Sequence, residues 1–266
     1  FLWDNIKHFQ KELKESLIAL FNDEDVKQLK IDDLTSVPSD YYENREEPVS
    51  IQYKEYLKLR DGIISHDELL ILSEHMFRKY RKLCDIVKDK YKFIFIDEYQ
   101  DTHEEVVKIL LEYLPRTTKK CIIGFFGDAM QAIYDTGIGD IDAYKGDGKG
   151  QAKEVKKVQN RRNPRAVITL ANRLRTDGII QESSSDITAP NMVEGTLKDG
   201  SVLFLYSDND DISNVEHFLS ENYGWDFSCA NKTKELNLTH NLIADKAGFR
   251  TLMDVYDKDL ILAFKK

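Results

Sequence analysis

Asp97 and Glu98 stand side by side directly after four apolar residues, Phe93-Ile94-Phe95-Ile96, with Gln100, Asp101 and Thr102 close behind. That order suits magnesium-dependent nucleotide hydrolysis. A carboxylate at a strand end can share a magnesium ion with substrate phosphates and water. A second carboxylate beside it can orient and deprotonate an attacking water. Gly127-Asp128-Ala129-Met130-Gln131-Ala132-Ile133-Tyr134 follows a second apolar run. Here the Gln131 amide can sense a γ-phosphate, and Tyr134 offers a flat face on which a base can stack. The phosphate-cradling pattern G-x-x-x-x-G-K-[ST] that normally works with such acids occurs nowhere in the 266 residues. Gly146-Asp147-Gly148-Lys149-Gly150 comes nearest, but it lacks the first glycine and the Ser/Thr and follows no strand.

The elements that must position these residues are readable from pattern. Phe93 to Ile96 and Cys121 to Phe126 read as all-apolar parallel strands covered on both faces. Glu104 to Leu114, closed by Pro115, is the helix between them. In such a β-α-β unit Asp97-Glu98 and Gly127-Asp128 emerge at one sheet edge. Upstream, the spacing of Leu2, Ile6, Phe9, Leu13, Leu17 and Leu20 predicts an amphipathic helix, and Asp32 to Glu47 a loop. Ser65 and Glu68 form a capping box for a helix to about Leu83. Downstream the pattern predicts a glycine-rich loop over 137–150, a strand over 154–158 and a helix from Asn163-Pro164 to about Arg175. After an inter-lobe loop holding Ser183-Ser184-Ser185 and Pro190 come strands at 202–206 and 226–230, with helices at 212–222 and 236–247.

Composition sets broad limits. With 41% hydrophobic and 32% charged residues the chain is ordinary for a globular protein, and no apolar run reaches a membrane span. Cys84, Cys121 and Cys229 are isolated, without a C-x-x-C pair, which argues against a disulfide framework, a zinc site or an iron-sulfur cluster and suits buried thiols of a cytosolic protein. Net charge is -9, yet Tyr144 to Thr176 holds ten Lys/Arg against two acids. Such a run either lines a nucleic-acid groove or forms a solvated face. Arg78 to Lys92 is a second basic stretch, with seven Lys/Arg against two Asp. His66, His75 and His103 have no metal-ligand spacing.

Taken together, Asp97-Glu98-Tyr99-Gln100-Asp101-Thr102 and Gly127 to Tyr134 resemble the Walker B and G-D-x-x-Q-x-I-Y motifs of UvrD/Rep/PcrA-type superfamily I DNA helicases. Gln159-Asn160-Arg161-Arg162-Asn163, with Ala171-Asn172, is similar to the next motif, and Ser228 to Thr233 to a strand and turn of the second lobe. The resemblance implies an α/β chain with a RecA-like parallel sheet (P-loop NTPase fold). It divides into part of a helical inserted subdomain (1–64), the Walker B side of a first RecA-like lobe (65–160) and part of a second lobe (161–266). It implies ATP and Mg²⁺ as cofactors, with Asp97 on the metal, Glu98 as catalytic base and Gln131 coupling the γ-phosphate to DNA. Arg162 becomes an arginine finger, Arg161 a nucleotide contact and Tyr134 a DNA contact. Implied partners are single-stranded or partly duplex DNA and proteins of a repair or defence complex, and the implied motion is 3′ to 5′.

This chain departs from the family in having Arg161 where an adenine-stacking aromatic is usual, Thr136 where a DNA-stacking aromatic is usual, and no phosphate loop. A start at Phe1 and an end in mid-helix add to the expectation of a central piece of a longer helicase, inactive alone. The competing expectation is a helicase-like DNA or protein binding module that does not hydrolyse nucleotide. A helicase-nuclease motor is a third reading, for which the chain holds no nuclease carboxylate cluster.

Overall fold

A computed structural model describes residues 1–27, 29–30, 34–47, 49–134, 137–148, 151–206, 208, 212–236 and 243–258. The chain forms two compact units, Phe1–Gly200 and Ser201–Lys266. The architecture is mixed α/β with small sheets.

The predicted first helix is two: α1 (Leu2–Ile6) and α2 (Gln10–Phe21), with Phe9 non-helical between them. Gln10 then fixes the strand region, its side chain bonding both the N–H and the carbonyl of Ile51. Strands β1 (Gln52–Tyr53) and β2 (Ile63–Ile64) pair in parallel. Helix α3 (His66–Lys79) starts at the predicted capping box, where Glu68 accepts the Ser65 N–H at 3.0 Å. It stops before Leu83, because Tyr80 leaves helical geometry, its hydroxyl reaching Glu15, and α4 (Arg81–Lys90) restarts behind it. Leu13 and Leu17 of α2, Leu72, Met76 and Phe77 of α3, and Ile109, Leu110 and Leu114 are fully buried. They belong to one core, which closes the helices over one face of a parallel strand pair.

Those strands are β3 (Phe93–Ile96) and β4 (Ile122–Phe125), paired in parallel from Phe93↔Ile122 to Ile96↔Phe125. The intervening helix α5 (Glu104–Lys108) continues as a π turn and ends in a 3₁₀ turn at Pro115. The β-α-β unit is therefore as expected, but its burial is not. Ile94, Ile96, Ile123 and Phe125 pack on the core, whereas Phe93, Phe95, Ile122 and Phe126 are exposed on the other face. Among the described residues β3 and β4 pair only with each other, so the broad parallel sheet of the prediction is a two-stranded one here.

Further on, β5 (Gln159–Asn160) pairs in parallel with β6 (Glu182–Ser183), and β7 (Met192–Val193) with β8 (Thr196–Leu197) as a hairpin. The expected strand at 154–158 is irregular. Glu154 turns to Lys145 and Lys156, Val155 is exposed, and the segment finds no ladder among the described residues. Helix α6 (Arg165–Leu174) lies within a residue or so of prediction, with Pro164 as its N-cap. In the second unit α7 (Ile212–Tyr223) also matches, and α8 is Arg250–Lys258. Among the described residues the strand expected at 202–206 finds no partner, and it is exposed. That expected at 226–230 is a turn, because the Asp226 carboxylate accepts from Ser228 N–H and Oγ and competes with a ladder. Half of the helix expected at 236–247 lies outside the described residues, and 244–248 is turn. Cys84 is buried, and Cys121 and Cys229 are half-buried and free. Among the described residues no helix is long and apolar enough to cross a membrane.

Candidate functional site

Strand β3 ends at Ile96 and delivers Asp97 and Glu98 to an exposed rim. Asp97 Oδ1 accepts the Glu98 N–H at 3.2 Å. Glu98 takes a left-handed conformation, φ 50° and ψ 48°. A non-glycine residue held there costs on the order of 1–2 kcal/mol, so neighbouring bonds must hold it. Gln100, 1% exposed, supplies them. Its Nε2 donates to Glu98 Oε2 at 2.8 Å, and its Oε1 accepts the Asp128 N–H at 3.1 Å. Chemistry forces this orientation of the amide, since a carboxylate only accepts and a backbone N–H only donates. The Tyr99 N–H meets the Phe126 carbonyl and the Ile133 N–H meets Asp101 Oδ1. The two acidic and glutamine-bearing segments are thus one bonded unit, as the β-α-β reading expects.

Close approach at this joint requires small residues. A Cβ on Gly127 would lie 2.3 Å from Gln100 Oε1 and 3.0 Å from Tyr99 N, and one on Gly137 2.4 Å from the Gln100 carbonyl oxygen. The glycine-rich loop after Gly137 packs on the acidic segment, with Ile138 and Gly139 donating to the carbonyls of Thr102 and Gln100. Its Gly146 and Gly148 wrap the Gln151 side chain. Lys149, Gly150 and Thr136 lie outside the described residues.

Asp128 caps the short turn Ala129–Gln131, accepting the Met130 N–H at 3.1 Å, and Gln131 Nε2 donates to its Oδ2 at 3.0 Å. Arg175, just past α6, grips the same carboxylate at two points, 2.7 and 2.9 Å, and also bonds Asp177. Its side chain is only 9% exposed. This guanidinium holds Asp128 below the ordinary carboxylate range and Asp177 down to about 2. Such a depression stabilises the fold fully above the ordinary value of about 4 and is lost as pH falls through the folded-state values. The melting-temperature gap between wild type and Arg175→Gln should therefore be constant from about pH 7 to 5 and close below about pH 4. Thermal denaturation across that range checks it.

Arg161 and Arg162 lie in the turn between β5 and α6, both exposed. Arg161 pairs with Asp186 at 2.5 Å, and the Arg162 N–H is held by Asn160 Oδ1 at 3.1 Å. Asn160 and Asn172 are tied together through Gln181. Tyr134 is exposed. The structure thus brings Asp97, Glu98 and Gln131 into one network, and the arginine bonded to it is Arg175. The sequence reading passed over Gln100 as a joint and Arg175 as an anchor. Much of the basic run is internally neutralised: Lys145 pairs with Asp142 and Glu154, and Arg165 with Asp199.

The donor set fits a magnesium ion held partly by substrate oxygens. Asp97 is an exposed carboxylate at the strand end, and a single protein carboxylate with phosphate oxygens and water completes such a shell.

Comparison with known proteins places the chain among helicase relatives. Across 197 residues the chain is 36% identical to the Gabija protein GajB of Bacillus cereus (strain HuB5-5), covering 73% of this chain and 27% of that protein. It is 25% identical over 146 residues to the ATP-dependent DNA helicase PcrA of Bacillus subtilis (strain 168), covering 53% and 19%. With the RecBCD enzyme subunit RecB of Buchnera aphidicola subsp. Acyrthosiphon pisum it shares 33% over 87 residues, 33% of this chain and 7% of that one. The chain spans roughly a quarter or less of the length of these relatives. Residues 3–149 match the model of the UvrD/REP helicase N-terminal domain, and by that match over more than half its length the chain belongs to the UvrD/REP helicase family.

Proposed function

We propose that this chain supplies the metal-and-base half of an ATP-dependent DNA helicase or translocase that moves 3′ to 5′ on single-stranded DNA. The observation that carries the reading is the buried Gln100 amide, which joins Glu98 to the turn bearing Gln131. PcrA, which shares this region, is by name an ATP-dependent DNA helicase. Asp97 would hold the magnesium ion, which neutralises developing phosphate charge. Glu98 accepts the proton of the attacking water, and Gln131 senses the γ-phosphate. Arg162 is the arginine finger, Arg161 stacks on the base by its guanidinium plane, and Tyr134 stacks on DNA.

The RecA-like lobes and the division at 1–64, 65–160 and 161–266 belong to the same proposal. So does a further layer of the longer protein covering Phe93, Phe95, Ile122 and Phe126. Single-stranded or partly duplex DNA is the proposed substrate, with repair or defence proteins as partners and the cytoplasm as location. By itself the chain should not hydrolyse ATP.

The test is ATP turnover of the full-length protein with and without single-stranded DNA. Asp97→Ala removes a direct metal contact and should exceed the ~10- to 100-fold loss typical of outer-shell changes. Turnover unchanged by Asp97→Ala would remove the metal assignment.

A further inference from the structure

The Asp128 carboxylate has two side-chain claimants on one oxygen. Arg175 Nη1 bonds Oδ2 at 2.7 Å and Gln131 Nε2 bonds the same Oδ2 at 3.0 Å. Arg175 Nη2 takes the other oxygen at 2.9 Å, which the Met130 N–H also reaches. Next to it, Thr176 Oγ1 donates to Met130 Sδ at 3.5 Å, so two successive residues beyond α6 grip the 128–131 turn. Arg175 is itself fixed by Asp177 through Nε and Nη2.

We propose that Arg175 is a positioning residue that makes Gln131 releasable: by satisfying Asp128 at two points, it lets the glutamine amide leave the carboxylate and turn to a phosphate. The inference rests on the reading of Gln131 as phosphate sensor. Its physical basis is the cost of stranding a polar group. A half-buried carboxylate that loses its last side-chain donor pays for desolvation, whereas one already held by a bidentate guanidinium does not. With Arg175 in place, Gln131 is a dispensable third partner. Without it, Gln131 becomes the main side-chain donor left to Asp128 and stays parked.

A scaffold role predicts the reverse. If Arg175 only braced the turn, its removal would loosen Gln131. The sign of the effect on the Gln131 amide therefore separates the two roles, and it needs no catalysis to read.

The experiment is ¹⁵N NMR of the side-chain amides in this chain, with water exchange measured at Gln131 in wild type, Arg175→Gln and Asp128→Asn. Exchange should slow about tenfold in Arg175→Gln, the equivalent of one charge-assisted hydrogen bond, and speed up in Asp128→Asn. Unchanged or faster exchange in Arg175→Gln overturns the inference. If Arg175→Gln does not fold, Arg175→Lys, a one-point donor, should give an intermediate slowing, and no slowing there overturns it equally. In the full-length protein the same Arg175 substitution should lower kcat about tenfold with KM for ATP changed less than about twofold, since only a step after binding is affected. A Glu98→Gln protein that keeps its turnover would defeat the nucleotide reading while leaving the NMR result intact, so the two failures are distinguishable.

Discussion

Gly127→Ala should lower ATP turnover of the full-length protein about 100-fold, the cost of misplacing a reacting group by roughly 1 Å. The added methyl would sit 2.3 Å from Gln100 Oε1, 2.9 Å from Tyr99 Cδ1 and 3.0 Å from Tyr99 N. Backbone cannot yield here, because the Tyr99 N–H is bonded to the Phe126 carbonyl at 3.1 Å. Gln100 must therefore swing away, and with it goes the amide that holds Glu98 Oε2 at 2.8 Å in a left-handed backbone conformation. Gln100→Glu should give a similar loss by another route, since a carboxylate can no longer donate to Glu98. Because both variants break one joint, the double variant should be little worse than either alone. Steady-state kinetics at saturating ATP and DNA checks this, and wild-type turnover in Gly127→Ala would show that the joint does not position the base.

What was legible in the sequence follows how local the governing physics is. The short apolar run breaking into Asp97-Glu98, the Ser65 and Glu68 capping box and the helices at 165–174 and 212–223 depend on neighbouring residues, and each is found close to where the pattern puts it. Strands at 154–158, 202–206 and 226–230 needed partners that the described residues do not provide, and propensity without a ladder is not enough. The same reasoning applies to Phe93 and Phe95. An all-apolar run predicts cover on both faces, but apolarity does not reveal whether a second layer lies within the same 266 residues.

At the site, motif positions were readable and bonding was not. Ten cations between Lys145 and Arg175 look alike in a charge count, and only the fold shows that Arg175 is enclosed and paired twice while Arg161 and Arg162 face solvent. Gln100 was visible as part of the acidic segment. Its role depends on Asp128, which lies across the strand pair, so no local pattern could announce it.

Glu98→Gln is the substitution that tests most directly whether this site hydrolyses nucleotide. The two side chains have the same shape, and the glutamine carbonyl can still accept from Gln100 Nε2, so the local geometry survives while the basic function is removed. A positioned general base contributes about 10²- to 10⁴-fold to turnover. The measurement is single-stranded-DNA-stimulated ATP turnover of the full-length protein and its Glu98→Gln variant, with ATP and DNA affinities determined alongside. The predicted result is turnover reduced by about 10³-fold with both affinities near wild type. Retained DNA-stimulated turnover in Glu98→Gln would contradict the assignment of Glu98 as base.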